Sequence, residues 1–155
     1  DLVPNLVVKL AQVPNIQYLK DASGITGRLL TIIRKVGSNF GVFSASAHIP
    51  ITVFLIGGIG WMAGPACLIP SQSVTLYNLA HNGQWHKAVD LQRSLWPLNE
   101  MFLKDGLAAC IKAGLEMQGF QVGRLRAPQV SLSEKAKAEL KIVLKRISSL
   151  NLIQC

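Results

Sequence analysis

Two hydrophobic periodicities alternate along the first eighty residues. Residues 4 to 12 (PNLVVKLAQ) suit a short helix with Pro4 in its first turn, where an N–H has no intrahelical partner to lose. Residues 15 to 20 (NIQYLK) read as a strand. In residues 25 to 36 (ITGRLLTIIRKV), Leu29, Ile32, Ile33 and Val36 fall on one helical face, and Gly37 stops that helix. Residues 39 to 44 (NFGVFS) predict a strand, 48 to 56 a helix, 59 to 63 a strand, and 71 to 81 a further helix. The strand segments are apolar runs and do not alternate, as befits parallel strands covered on both faces. The pattern is βαβαβα with short connections.

After HNG (81–83) the strand pattern ends. Residues 84 to 104 predict a long amphipathic helix with Trp85, Ala88, Val89, Leu95, Trp96 and Phe102 inward, kinked or divided at Pro97. Residues 106 to 118 predict a second helix, and 119 to 130 a loop containing glycine and proline. The last helix is expected to open at SLSE, where Ser131 and Glu134 have capping-box spacing, and to run to about 149. Ala136, Leu140, Val143, Leu144 and Ile147 then face inward. Lys137, Lys141 and Lys145 form the opposite, solvated face. Three parallel strands cannot close a barrel. They fit an open sheet or three-eighths of a (β/α)8 barrel, and the local pattern leaves both open.

Composition narrows this little. The chain has 155 residues, 50% hydrophobic and 15% charged, enough for one folded domain with a real core. The formal charge of +8 raises nucleic acid as a partner. The basic residues are dispersed, however, in runs no longer than two, and aromatics are only 6%, so no nucleic-acid function is expected. Cys67, Cys110 and Cys155 have no CxxC spacing. Neither a disulfide framework nor a metal site is expected, and a reducing compartment is. No basic n-region with an apolar h-region opens the chain, so no signal peptide is expected. Residues 49 to 70 (IPITVFLIGGIGWMAGPACLIP) are uncharged over the length of a membrane span. Their glycines and prolines instead suggest a buried helix, a stop at Gly57–Gly58, and a buried strand, with no membrane partner.

The stretch NIQYLKDASG places Lys20 at the C-terminal end of a strand, where parallel α/β proteins keep their reactive groups. An amine between apolar walls is desolvated, which favours its neutral, nucleophilic form. It can then form an imine with a carbonyl. Taken alone, a strand-end lysine is more often simply solvated. The histidines suggest no chemistry. His48 follows a strand end and could line a site mouth, while His81 and His86 near a helix junction read as structural or exposed. Lys112, in ACIKAG, reads as helix packing or a subunit contact.

PNIQYLKDASG resembles the Schiff-base strand of the dihydrodipicolinate synthase / N-acetylneuraminate lyase family. In order along the chain, VFSASA, GGIGWMAG, LYNLAHNGQWHKAVDLQRSLWPLNEMF, AACIKAGLEMQGF and RAPQVSLSEKAKAEL are similar to its later segments. The resemblance implies an α/β fold that is the C-terminal part of a (β/α)8 TIM barrel. Strands six to eight would lie in residues 1–82 and a helical extension in 83–155. It implies a class I lyase or aldolase in which Lys20 forms an imine with pyruvate or another 2-oxo acid. Met62 would contact that acid through its main chain, and Ser46 would line the substrate site. No cofactor is implied. A homo-oligomer, tetramer or dimer, in the cytoplasm or an organelle matrix is. Three positions depart from the family pattern: Tyr18 stands for a common glycine, Ile25 for an acid, and Ala45-Ser46-Ala47 for Gly-Asp-Asp. These bear on the second substrate. The family's Gly-Thr-Thr-Gly loop and relay tyrosine are not in this sequence, so a fragment without its N-terminal half is expected to be inactive alone. A non-catalytic interaction or regulatory fragment is the alternative.

Overall fold

The computed structural model describes residues 1–45 and 49–150. The chain divides into two compact units, Asp1–Ala63 and Gly64–Cys155.

The first unit runs α1 (Pro4–Leu10), β1 (Tyr18–Asp21), α2 (Thr26–Val36), β2 (Gly41–Ser44), α3 (Pro50–Leu55) and β3 (Gly60–Trp61). The strands form a parallel sheet in the order β1-β2-β3. They are shorter than the apolar runs suggest. β1 begins only at Tyr18 because the preceding residues are spent on turns: Val13 N–H donates to Leu10 O at 3.0 Å and Ile16 N–H to Val13 O at 3.0 Å. β3 is two residues long, but the ladder continues on either side of it. Ile59 N–H donates to Val42 O at 2.9 Å and Met62 N–H to Ser44 O at 2.8 Å. The helix stop before β3 is real. Gly57 has φ 100°, and a Cβ at Gly58 would lie 2.8 Å from the Val53 carbonyl oxygen.

One face of this sheet is closed. Val7 from α1, Leu29 and Ile32 from α2, and Val53 from α3 are buried with Phe40 and Val42, and Leu19, Ile33 and Val36 pack against them. The expected α2 face is therefore the buried one. Arg28 fastens α2 to the start of the chain with a two-pronged ion pair to Asp1, at 2.9 and 2.7 Å. Lys35 Nζ adds a hydrogen bond to Asn5 Oδ1 at 2.7 Å.

The second unit is helical. A 3-10 turn (Gly64–Cys67) leads to α4 (Pro70–His81), α5 (Trp85–Asp105), α6 (Leu107–Met117) and α7 (Glu134–Ser148). Residues 49 to 70 are divided among α3, β3 and the 3-10 turn, and no helix of the described residues is long and apolar enough to cross a bilayer. α5 is continuous through Pro97. A mid-helix proline costs roughly 3 kcal/mol, and the buried Leu95, Leu98, Met101 and Phe102 on both sides of it more than offset that. The same stripe holds buried Gln92 and Asn99, which its hydrophobic pattern does not reveal. In α6, Gly114 lets the turn before α4 and the last helix approach. A Cβ there would sit 2.7 Å from Leu68 and 3.3 Å from Leu144.

The start of α7 corrects one expectation. Ser133, not Ser131, is the N-cap: its hydroxyl accepts from Ala136 N–H at 3.2 Å. Glu134 is the first helical residue, so SLSE is not a capping box. Lys104 Nζ bonds Glu139 at 2.8 Å across α5 and α7. That hydrogen bond and the nearby Asp105 raise the lysine's pKa, and the same bond lowers that of Glu139.

Candidate active site

Register decides which side chains share a face, because successive residues of a strand point to opposite sides. Lys20 pairs with Phe43, and Phe43 with Gly60. Tyr18, two residues before Lys20, pairs with Gly41. Tyr18, Lys20, Phe43 and Met62 therefore project from the face opposite the helix-packed core. This face is open. Tyr18 is 62% exposed, Met62 is 56% exposed, and Lys20 is exposed. The desolvating walls expected around the amine are thus not met among the described residues.

The aromatic rings on this face lie along the sheet. Tyr18 and Phe43 meet edge to face, with centroids 5.9 Å apart and planes at 70°. A Cβ at Gly41 would come 2.8 Å from the Tyr18 ring, and one at Gly60 would collide with the Phe43 ring. The two glycines are the slots into which the rings fold. Lys20 stands beside this apolar floor, at the end of β1.

The loop after Lys20 is built by its neighbour. Asp21 lies in line with Ser44 on the packed face and is 8% exposed. Its carboxylate accepts from Ser23 N–H at 2.7 Å and from the Ser23 hydroxyl at 2.6 Å, and the Ser23 hydroxyl in turn accepts from Ile25 N–H at 3.1 Å. Gly24, at φ 73°, then reverses the chain into α2. Asp21 thus fixes where β1 ends and which residue stands at its tip. The sequence reading missed this. The signal is the Asp-x-Ser spacing, whose short side chains bond the backbone two residues on.

Met62 sits one residue beyond β3, on the Lys20 face, with its N–H committed to Ser44 O. Ser46 and His48 lie outside the described residues. His81 is exposed and stacks on Tyr77 at 5.6 Å, and His86 is exposed; both belong to the second unit. Among the described residues no group of three or more His, Cys, Asp or Glu side chains could hold a metal ion. Cys110 is buried, and burial and then the Asp105 charge push its thiol up to about 11, which leaves it unreactive near neutral pH.

Fold and site define a parallel α/β protein with an amine at the carboxyl edge of its sheet. The chain belongs to the Dihydrodipicolinate synthetase family, which matches residues 1–147. It is 31% identical over 147 residues to a 4-hydroxy-tetrahydrodipicolinate synthase of Thermoanaerobacter sp. (strain X514), covering 94% of this chain and 50% of that protein. It is 31% identical over 144 residues to the enzyme of the same name from Archaeoglobus fulgidus, covering 93% and 50%. Among solved structures, dihydrodipicolinate synthase from Thermotoga maritima superposes with a TM-score of 0.88 at 25% identity, covering 97% of this chain and 52% of that one. The chain spans about half the length of the curated relatives it matches.

Proposed function

We propose that this chain is the lysine-bearing half of a Schiff-base lyase or aldolase acting on pyruvate or another 2-oxo acid. One observation carries the reading: an exposed lysine ends a parallel strand on the open face of a sheet whose other face is closed. Placement as the C-terminal part of a (β/α)8 barrel rests on element order. Three parallel strands are followed only by helices among the described residues. On this assignment residues 1–82, with α4 as the last barrel helix, belong to the barrel, and 83–155 form the extension. A complementary N-terminal half would cover the open face around Tyr18, Phe43 and Met62, pair the free edge of β1, and supply the walls that desolvate Lys20. The assembled protein is proposed to be a cytoplasmic or organelle-matrix homo-oligomer.

The chemistry follows from the amine. Neutral Lys20 Nζ attacks the 2-oxo carbon, and loss of water leaves a protonated imine. With pyruvate, a C3 proton passes to a base, and the C–H electrons flow into the imine to give an enamine. The enamine carbon then attacks an acceptor carbonyl, whose oxygen takes up a proton. Hydrolysis of the imine frees the product and the lysine. Run in reverse, the C3–C4 bond of a 4-hydroxy-2-oxo acid breaks. Asp21 holds the strand tip so that Nζ faces the substrate. Met62, whose N–H is spent on the ladder, is proposed to contact the acid through its main-chain carbonyl. Ser46 is proposed to line the substrate site.

The open sheet face around Tyr18 and Met62 favours a second reading, a non-catalytic interaction or regulatory fragment. One experiment separates the two. The chain, assembled with a complementary N-terminal half, is treated with pyruvate and borohydride and mapped by mass spectrometry. A reduced pyruvate adduct on Lys20 is expected. No adduct at Lys20 in the assembled protein refutes the enzyme reading.

A further inference from the structure

Residues 118 to 133 join α6 to α7 with no helix or strand of their own. A segment of this length without structure is uncommon in a compact fold and calls for something to hold it. Its own packing is thin: Leu132 is buried, but Phe120 is 59% and Val130 78% exposed. Among the described residues, the backbone hydrogen bond made within 121–132 is that from Gln129 N–H to Arg126 O. Val122 and Leu125 are half-buried, and one side chain of α6 gathers the backbone in the middle of the segment. Lys112 Nζ donates to Val122 O at 2.8 Å, Gly123 O at 3.2 Å and Arg124 O at 2.8 Å.

Three consecutive carbonyls do not ordinarily meet at one point, since in extended chain they alternate in direction. Here Gly123, at φ 67°, curls the backbone so that all three converge. An ammonium has three donors, and here all three find neutral oxygens. A cleft of about 100 Å³ opens beside them, lined by Lys112, Glu116, Arg124, Ser131 and Lys137 among others. Lys137 already bonds Glu134 at 2.7 Å. Among the described residues, the hydrogen bonds of Lys112 Nζ are with these carbonyl oxygens and with no carboxylate.

We infer that the carbonyls of Val122, Gly123 and Arg124 form a binding nest for a primary ammonium, filled from within by Lys112, and that this one charge latches the α6–α7 segment. The inference is independent of the imine chemistry proposed for Lys20. It predicts that the nest accepts a free alkylammonium when the lysine head is removed, and that the segment loosens when it is empty.

The segment carries its own reporters, since trypsin cuts after Arg124 and Arg126. In Lys112→Met, which keeps the apolar stem, cleavage at these bonds should be at least about tenfold faster than in the parent, with helical circular dichroism retained. In Lys112→Ala, millimolar n-propylammonium should restore at least half of the lost protection, and the isosteric neutral n-propanol should not. Parent-like cleavage in Lys112→Met overturns the inference. So does equal protection by amine and alcohol, or loss of all helical signal in both variants, which would make Lys112 a general stability residue.

Discussion

The two units bury their apolar surface in opposite ways. In Gly64–Cys155, α5 packs against α4, α6 and α7, and α6 against α7, so the apolar stripes meet one another. Leu76, Leu98 and Leu140 are fully buried there. In Asp1–Ala63 the sheet is covered on one side by Val7, Leu29, Ile32 and Val53, and presents Tyr18 and Met62 on the other. The side left open is the side that carries Lys20. A helical unit that satisfies itself has little chemistry to offer. A sheet with one face unspent can hold a substrate, and covering that face would add to its stability.

The largest expected effect tests that contrast directly. Produced separately, residues 64–150 should keep cooperative, helical thermal unfolding by circular dichroism. Residues 1–63 should be unfolded or aggregated, because a chain of this size with half its sheet exposed buries too little. A cooperative, monomeric 1–63 would show that the open face needs no cover, and would remove the physical reason for proposing a covering half.

Next in size is the amine itself. Arginine at position 20 keeps the charge but not the nucleophile. In the assembled protein Lys20→Arg should lower kcat/KM by at least about three decades, roughly 4 kcal/mol, with the fold intact. A folded variant retaining more than about a tenth of the parent kcat/KM, a loss of only about 1.4 kcal/mol, would rule out the imine role.

Much of this architecture is legible in the sequence, and the exceptions have physical causes. Helix faces read well, because Leu29 and Ile32 in α2 and Ala136, Leu140 and Ile147 in α7 recur at helical spacing and are buried. Strand limits read poorly. Asn15 and Ile16 look like strand but belong to a turn, and apolar character says nothing of where hydrogen bonds go. Lys20 reads out through its strand-end position and its flanking motif. The structure adds that Tyr18 and Phe43 share its face, which only the register between β1 and β2 could reveal. Asp21 was missed because a charged residue next to Lys20 looks like surface. Its burial depends on the Ser23 hydroxyl that answers it.

A smaller effect sharpens the self-contained character of the helical unit. The Cys110 thiol, buried and beside Asp105, is held up to about 11, against an unfolded value of about 8.5. The folded chain keeps this proton when the unfolded chain has released it. The contribution is therefore whole below pH 8.5 and lost as pH rises toward 11. It amounts to at most about 3.4 kcal/mol, at about 1.36 kcal/mol per unit. Urea unfolding of the parent and Cys110→Ala at pH 7.5 and 10.5 checks it: the gap between the two proteins should narrow at the higher pH. A constant gap would mean that the thiol is not kept protonated by burial. The exposed Cys67 should react with a thiol reagent at neutral pH while Cys110 does not.

The smallest effect decides between two serines. Ser131 and Ser133 both precede α7, and sequence spacing favours Ser131 because Glu134 follows three residues later. In the structure the hydroxyl of Ser133 accepts from Ala136 N–H, at extended backbone angles of φ −64° and ψ 158° suited to a cap. A cap removed from a helix packed at Ala136, Leu140 and Ile147 leaves an N–H unsatisfied at its first turn. Ser133→Ala should destabilise the helical unit by about 1 kcal/mol. Ser131→Ala, three residues before the first helical residue, should change stability by less than about 0.5 kcal/mol, the range of ordinary surface substitutions. If the larger loss falls on Ser131, α7 starts earlier than Glu134. The segment latched by Lys112 is then shorter by the same amount, so this pair of alanines also measures how much chain the ammonium nest must hold.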